Sequence, residues 1–271
     1  MTQDTWLASH PYLRSVAEFH AQVATAAASL PSDSARIPDW ENYNGDYQAR
    51  IPLLRSSHVA IDFEPAEAIF VSLVESLASK PLPEKLAAEC RVLDAQLRGE
   101  VNAPRRTLAW LLGDEVFKPA YPGLTRYFGW IALARYLRPL VDAFSRWRDE
   151  ERWLCGYCPT CGSPPAMAQL VGFDPGRLRF LSCGCCCTRW RYRRIGCPFC
   201  ATADDHRLSA LAIDGEKYLR IDYCQACRAY LKTYNGEGSE LLFLADWTSI
   251  HLDIIARDRG LKRLAASLYE L

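Results

Sequence analysis

The chain has no excess of charge of either sign: 32 Lys and Arg face 32 Asp and Glu, so no global field draws it to nucleic acid or anionic lipid. Its opening stretch, MTQDTWLASHPYLR, lacks the basic start and apolar run of a secretory leader, and a cytoplasmic location is expected. Long apolar runs are missing too. The most apolar stretch, Tyr127 to Phe144, is interrupted by Arg135 and Arg138 and falls short of the roughly 20 apolar residues that span a bilayer, so no membrane helix is expected. There is no Gly-rich phosphate loop, no Gly-x-Ser-x-Gly elbow and no His-Glu-x-x-His helix. His251 and Asp253 stand two apart, a spacing that does not share a helix face, and His206 reads as a solvent-facing loop residue. No residue is assigned a catalytic role, and none an organic-cofactor-binding role.

Against these absences stands cysteine. Twelve are present, eleven of them between Cys155 and Cys227. In a reducing compartment such a cluster favours metal coordination over a disulfide scaffold. Cys90 lies apart on a helical stripe and reads as a small core residue.

The N-terminal half is helical in pattern and punctuated by proline. Helices are predicted from Pro11 to Leu30, from Phe63 to Ala78 with Pro65 near its start, and from about Pro83 to Arg98, ending at Gly99. Residues 31–57 read as a long connection holding a short helix. The longest pattern follows Pro122, with Leu124, Phe128, Ile131, Ala134, Leu137, Val141 and Phe144 on one stripe, and Pro139 is expected to kink or split it. A bundle burying these stripes in its own core is the plain reading, and a partner-binding groove the other. Near Trp153 the composition turns to proline, glycine, cysteine and β-formers; after Asn235 helical spacing returns, predicting helices at Trp247 to Ala256 and Leu261 to Leu268. The expected fold class is α+β: a helical domain over 1–152, a first four-cysteine module over 153–195, a second over 196–235, and short C-terminal helices over 236–271 packing back on the rest.

Four Cys-x-x-Cys pairs carry the chemistry: Cys158/Cys161, Cys183/Cys186, Cys197/Cys200 and Cys224/Cys227. The stretch from Cys161 to Cys183 nearly matches in length the one from Cys200 to Cys224, whereas Cys186 to Cys197 is only about half as long, so the pairs group as one with two and three with four. The unit that opens at Cys158 opens again at Cys197: CPTC answers to CPFC, RFLSC to RIDYC, CCTRWRY to CRAYLKTY. Two cysteines on a tight turn place both sulfurs on one tetrahedral ion, and a second turn on a facing hairpin completes the site, so eight thiolates serve two mononuclear ions. Strands at Leu178–Leu181, Leu208–Ile213 and Tyr218–Ile221 supply the hairpins. A unit of this size has too little core of its own, and metal binding should supply most of its folding free energy, on the order of 10 kcal/mol.

Two competing readings of the pairs are dithiol redox chemistry, which wants a single Cys-x-x-Cys opening a helix in a βαβ unit, and an iron–sulfur cluster, which fits a two-turn hairpin less well than a single ion does. Cys155, Cys185 and Cys187 are surplus, either thiols without function or redox-active and ligand-exchanging ones; Cys155 with Cys158 is an alternative pair. Between 152 and 235 twelve basic residues outnumber six acidic ones, an excess that two four-thiolate centres, carrying about four negative charges with divalent ions, would largely offset. A nucleic-acid face built on Trp190, Arg191, Tyr192, Arg193 and Arg194 is the alternative function, and a thiol oxidoreductase a third.

The strings CPTCGSPP, LSCGCC followed by Trp190 and Arg194, CPFC, CQACRAYLK and ADWTSIHLD, with PDWENYNGDYQARIPLL upstream, resemble the FdhE-type formate dehydrogenase accessory proteins over nearly the whole chain. That resemblance implies a cytoplasmic maturation factor, not itself an enzyme, with a helical N-terminal domain and two rubredoxin-like modules. It implies the catalytic subunit of a molybdenum- or tungsten-containing formate dehydrogenase as partner, with a homodimer left open. By position it assigns Cys158, Cys161, Cys183, Cys186, Cys197, Cys200, Cys224 and Cys227 to two ions, iron or zinc. Cys185 and Cys187 depart from the family's usual pattern around the second pair.

Overall fold

The computed structural model describes residues 1–30, 33–113, 117–173 and 175–268. Its helices are α1 (Gln3–Ser9), α2 (Arg14–Ser29), α3 (Trp40–Gln48), α4 (Glu64–Ala78), α5 (Glu84–Gly99), α6 (Ala103–Leu111), α7 (Pro122–Trp147) and α8 (Glu150–Trp153). Strands β1 (Met167–Val171), β2 (Leu178–Ser182), β3 (Arg189–Tyr192), β4 (Leu208–Ala212), β5 (Leu219–Cys224) and β6 (Tyr230–Asn235) follow, then α9 (Glu240–Phe243) and α10 (Ile250–Asp258). Among the described residues no helix is long and apolar enough to cross a membrane.

The chain divides into two compact units, one of Met1–Ala17, Trp40–Val59 and Trp147–Ser267, the other built mainly of Glu18–Asp39 and Ala60–Arg146. In the second unit α4 packs on α5 and α6. It buries Ile69, Phe70, Leu73, Val74 and Leu77, while α5 buries Cys90, Leu93 and Leu97. Pro65 sits in the first turn of α4, where its missing N–H costs nothing. Helix α7 runs unbroken past Pro139 and buries Phe128, Leu133, Leu137 and Phe144. Gly129 lets it approach α6, since a Cβ there would run into the Leu111 side chain.

The first unit is organised by one six-stranded sheet in the order β3-β2-β1-β6-β5-β4. Each cysteine repeat contributes an antiparallel three-stranded meander, β1-β2-β3 and β4-β5-β6. The meanders join through parallel pairing of β1 with β6, Met167 opposite Lys232 and Leu170 opposite Asn235. Two repeats too small for separate cores thus share one sheet. Strand β6 is central, and Lys232 on it is fully buried. Its Nζ lies 2.7 Å from both the Asp246 and Asp253 carboxylates, which Arg263 also pairs at 2.8 and 2.7 Å. Tyr230 donates to Asp253 at 2.6 Å.

The split expected at Pro139 does not occur, since α7 continues through it, and two further sequence expectations need correction. Leu261 to Leu268 is not a helix: Lys262 donates to the Arg228 carbonyl and its own carbonyl accepts from Tyr230, so the segment lies alongside the start of β6 while Arg263 reaches the buried acids. The helix predicted from Trp247 begins one turn later, at Ile250, after a 3-10 turn over Asp246–Ser249.

Candidate metal centres

The four Cys-x-x-Cys turns are built alike. In each, the amide of the first cysteine donates at 2.9 Å to the carbonyl five residues on: Cys158 to Ser163, Cys183 to Thr188, Cys197 to Thr202 and Cys224 to Ala229. In three of them the residue four positions on donates back to the first cysteine's carbonyl: Gly162 to Cys158, Ala201 to Cys197 and Arg228 to Cys224. That fourth position has positive φ in every turn, 79° at Gly162, 60° at Cys187, 59° at Ala201 and 62° at Arg228. Only Gly162 meets it without side-chain strain, and there a Cβ would also press on the Pro52 ring at 3.2 Å. Such a turn folds two sulfurs onto one side and points amides at them: the amide of Cys185 reaches Cys183 Sγ at 3.4 Å, and those of Phe199 and Cys200 reach the Cys197 sulfur.

The hairpins then bring the turns together as the spacing predicts. The sulfurs of Cys158, Cys161, Cys183 and Cys186 all lie within 4.8 Å of one another, and so do those of Cys197, Cys200, Cys224 and Cys227. In the first set Cys158 is 3.5 Å from Cys186 and Cys161 is 3.5 Å from Cys183; in the second Cys197 is 3.7 Å from Cys227 and Cys200 is 3.8 Å from Cys224. These are not disulfides, whose sulfurs stand about 2.0 Å apart. A tetrahedral ion with metal–sulfur bonds of about 2.3 Å needs sulfurs about 3.8 Å apart, so both sets have the size for one ion.

Electrostatics agree with that fit in the first set. Burial pushes the Cys158 and Cys186 thiols well above their ordinary range, whereas Cys161, with hydrogen bonds from Cys158, Cys183 and Cys186, falls well below it. Left to itself the buried pocket favours one thiolate among neutral thiols; four thiolates there require a cation. In the second set burial raises Cys197 to about 12, and Cys200, which accepts the Thr202 amide, is lowered.

The two sets differ in cover. Every cysteine of the first is buried; in the second Cys200 is exposed and Cys227 half-buried. The first turn is capped by the segment after α3, where the amides of Leu53 and Leu54 donate to the carbonyls of Pro159 and Thr160 at 2.9 Å. Thr160 and Thr188 share a hydroxyl bond of 2.7 Å across the set, and Thr188 Oγ1 lies 3.2 Å from Cys186 Sγ. Spacing among cysteines gave no sign of this cap or of the threonine pair.

The surplus cysteines now have places. Cys185 lies inside the second turn and Cys187 occupies its left-handed position, exposed. Cys155 is buried outside the set, 3.7 Å from Arg50, so Cys158 pairs with Cys161 in the assembled set. The WRYRR segment turns its aromatics inward. Trp190 and Tyr192 are buried, Trp190 donating to the Cys155 carbonyl at 2.9 Å and Tyr192 to the Cys197 carbonyl at 3.0 Å, and Arg191 pairs with Glu151. These two rings offer no stacking platform to a base. His206 is exposed, and His251 and Asp253 point to different partners, Glu216 and Lys232.

The family model described as "FdhE, central domain" matches residues 157–194, the span holding the first four-cysteine set. A "Protein FdhE homolog" of Aquifex aeolicus is 24% identical over 254 residues, covering 92% of this chain and 83% of that protein. One of Pseudomonas aeruginosa is 36% identical over 199 residues, covering 69% of this chain and 62% of its own. The fold is shared with "The crystal structure of the FdhE protein from Pseudomonas aeruginosa", with a TM-score of 0.61 at 24% identity over 95% of this chain and 88% of that one.

Proposed function

The chain is FdhE-like, and from that premise we propose that it is a cytoplasmic, non-enzymatic factor for the formation of a formate dehydrogenase, acting by binding that enzyme's catalytic subunit. The observation that carries the proposal is the pair of closed four-sulfur sets within one sheet of an FdhE-like chain. In this reading Cys158, Cys161, Cys183 and Cys186 hold one ion and Cys197, Cys200, Cys224 and Cys227 a second, each iron or zinc. Four thiolates on a tetrahedral ion leave no open position for a hydrolytic water, so such an ion acts by holding the fold. Iron would add one-electron chemistry that zinc cannot supply.

What the chain contributes is rigidity. The Cys183 and Cys224 turns close the β2–β3 and β5–β6 hairpins, the Cys158 and Cys197 turns face them, the β1–β6 pairing makes the repeats one body, and the partner meets a surface whose conformational entropy is already spent. The domain boundaries read from the sequence become, in this proposal, functional ones: a helical part over 1–152, metal modules over 153–195 and 196–235, and a C-terminal segment over 236–271.

The test is capture and complementation. A tagged chain should retain the catalytic subunit of a formate dehydrogenase, and a strain lacking the gene should lose formate-dependent dye reduction, restored by the wild type but not by Cys158→Ser with Cys161→Ser. Undiminished formate dehydrogenase activity in the deletion strain would refute the proposal.

A further inference from the structure

A third convergence of ligand-type side chains, one that contains no cysteine, lies in the sheet-containing unit. His10 leaves the end of α1, Glu216 sits in the β4–β5 turn and His251 in the first turn of α10. The Nε2 atoms of both imidazoles meet the same carboxylate oxygen, Glu216 Oε1, at 2.8 and 2.6 Å. The side chains are 11, 5 and 14% exposed, so the cluster is sheltered yet reachable from solvent. The other carboxylate oxygen, Oε2, is buried without a hydrogen-bond partner, as is His251 Nδ1.

The orientation of His10 is fixed from behind. Its Nδ1 lies 3.0 Å from the Trp6 carbonyl, and its ring stacks on Trp6 at 3.7 Å between centroids. Trp6 is itself pinned by Nε1 donating to the Thr248 carbonyl at 3.1 Å. Ser9 Oγ stands 3.1 Å from the same Nδ1 and can donate or accept, but the carbonyl oxygen only accepts; with Nδ1 donating to it, the neutral ring aims its Nε2 lone pair at a carboxylate oxygen. Lone pairs held that close repel unless a proton or a metal cation stands between them. A backbone carbonyl on the far nitrogen, a carboxylate and a second imidazole converging on one point are the parts of a histidine-ligated metal site with its orienting partner.

We infer that His10, Glu216 and His251 form a third metal site, a two-histidine, one-carboxylate centre for a borderline divalent ion of the zinc class. Three protein ligands leave such an ion at least one open position. Exposed Tyr12, whose ring lies 5.8 Å from both imidazoles, stands beside it. The site rests on donors distinct from the eight cysteines and stands or falls apart from them.

The experiment uses the full-length chain with its cysteine sites filled by cadmium, titrated with Co2+. The wild type should bind one further equivalent, giving visible ligand-field bands without the intense charge transfer of cobalt–thiolate bonds. Glu216→Gln and His251→Ala should each weaken that binding at least tenfold while cadmium content is unchanged. A wild-type chain that takes up no further equivalent, as a proton-bridged cluster would, overturns the inference without recourse to any variant. So does Co2+ binding that survives in both variants at wild-type affinity.

Discussion

The two four-cysteine sets share a turn design and differ in what covers them. Both use the same amide-to-carbonyl closure and the same left-handed fourth position. The first lies beneath the segment following α3, with all four cysteines buried, whereas the second leaves Cys200 in solvent and Cys227 half in it. Sequence spacing determines whether four sulfurs can meet; residues far away in the chain determine how hard it is to take the ion back out. On the proposed metal reading, the covered first set holds its ion more firmly than the exposed second set.

The largest test of that contrast is to remove one ligand from each. Cys158→Ser should lose the first ion and unfold its meander, a loss of roughly 10 kcal/mol, the scale a structural ion supplies, seen as collapse of amide protection in β2 and β3. Cys200→Ser should lose the second ion yet leave protection in β2 and β3 largely intact. Equal collapse in both variants would erase the distinction.

A smaller effect is expected where the two repeats join. Lys232 on β6 neutralises Asp246 and Asp253 in the interior, and Lys232→Met should cost about 3–5 kcal/mol in denaturant unfolding by stranding buried charge. A change too small to separate the two unfolding curves would show that Arg263 alone suffices.

Asp246 sets a pH dependence. Burial by itself raises the Asp246 carboxyl, but Lys232 and Arg263 outweigh it and hold the group below its ordinary value of about 3.9. The unfolded chain therefore takes up the proton first, so this contribution is fully present above about pH 4 and is lost as pH falls through the lower folded value. The stability gap between wild type and Asp246→Asn should narrow on that descent, measured by urea midpoints at a series of pH values; a gap that widens would reverse the assignment.

The smallest expected effect concerns Cys187. Since it occupies the left-handed position of its turn, Cys187→Gly should change stability by no more than about 1 kcal/mol and retain both ions by metal analysis. Loss of an ion would make Cys187 a ligand.

The cysteine sets were legible because a Cys-x-x-Cys spacing expresses its own geometry, and α4 and α5 because apolar residues at helical spacing must face a core. Strand β6 was not: YLKTYN reads as half polar, yet Lys232 and Thr233 are buried because distant Asp246, Asp253 and Asp222 receive them. The segment Leu261 to Leu268 misled for the complementary reason, its helical spacing being overridden by pairing with Arg228, Ala229 and Tyr230. The parallel seam of β1 and β6, and the meeting of His10 with a glutamate 206 positions away, are products of tertiary assembly that no local pattern encodes.

The central claim is two all-sulfur centres, one sealed and one open. Cadmium-113 NMR of the substituted full-length chain addresses it site by site. Two resonances in the all-thiolate range are expected, and the one that Cys200→Ser removes should vanish first when a chelator is added. Fewer than two such resonances, or two that disappear together, would contradict the account.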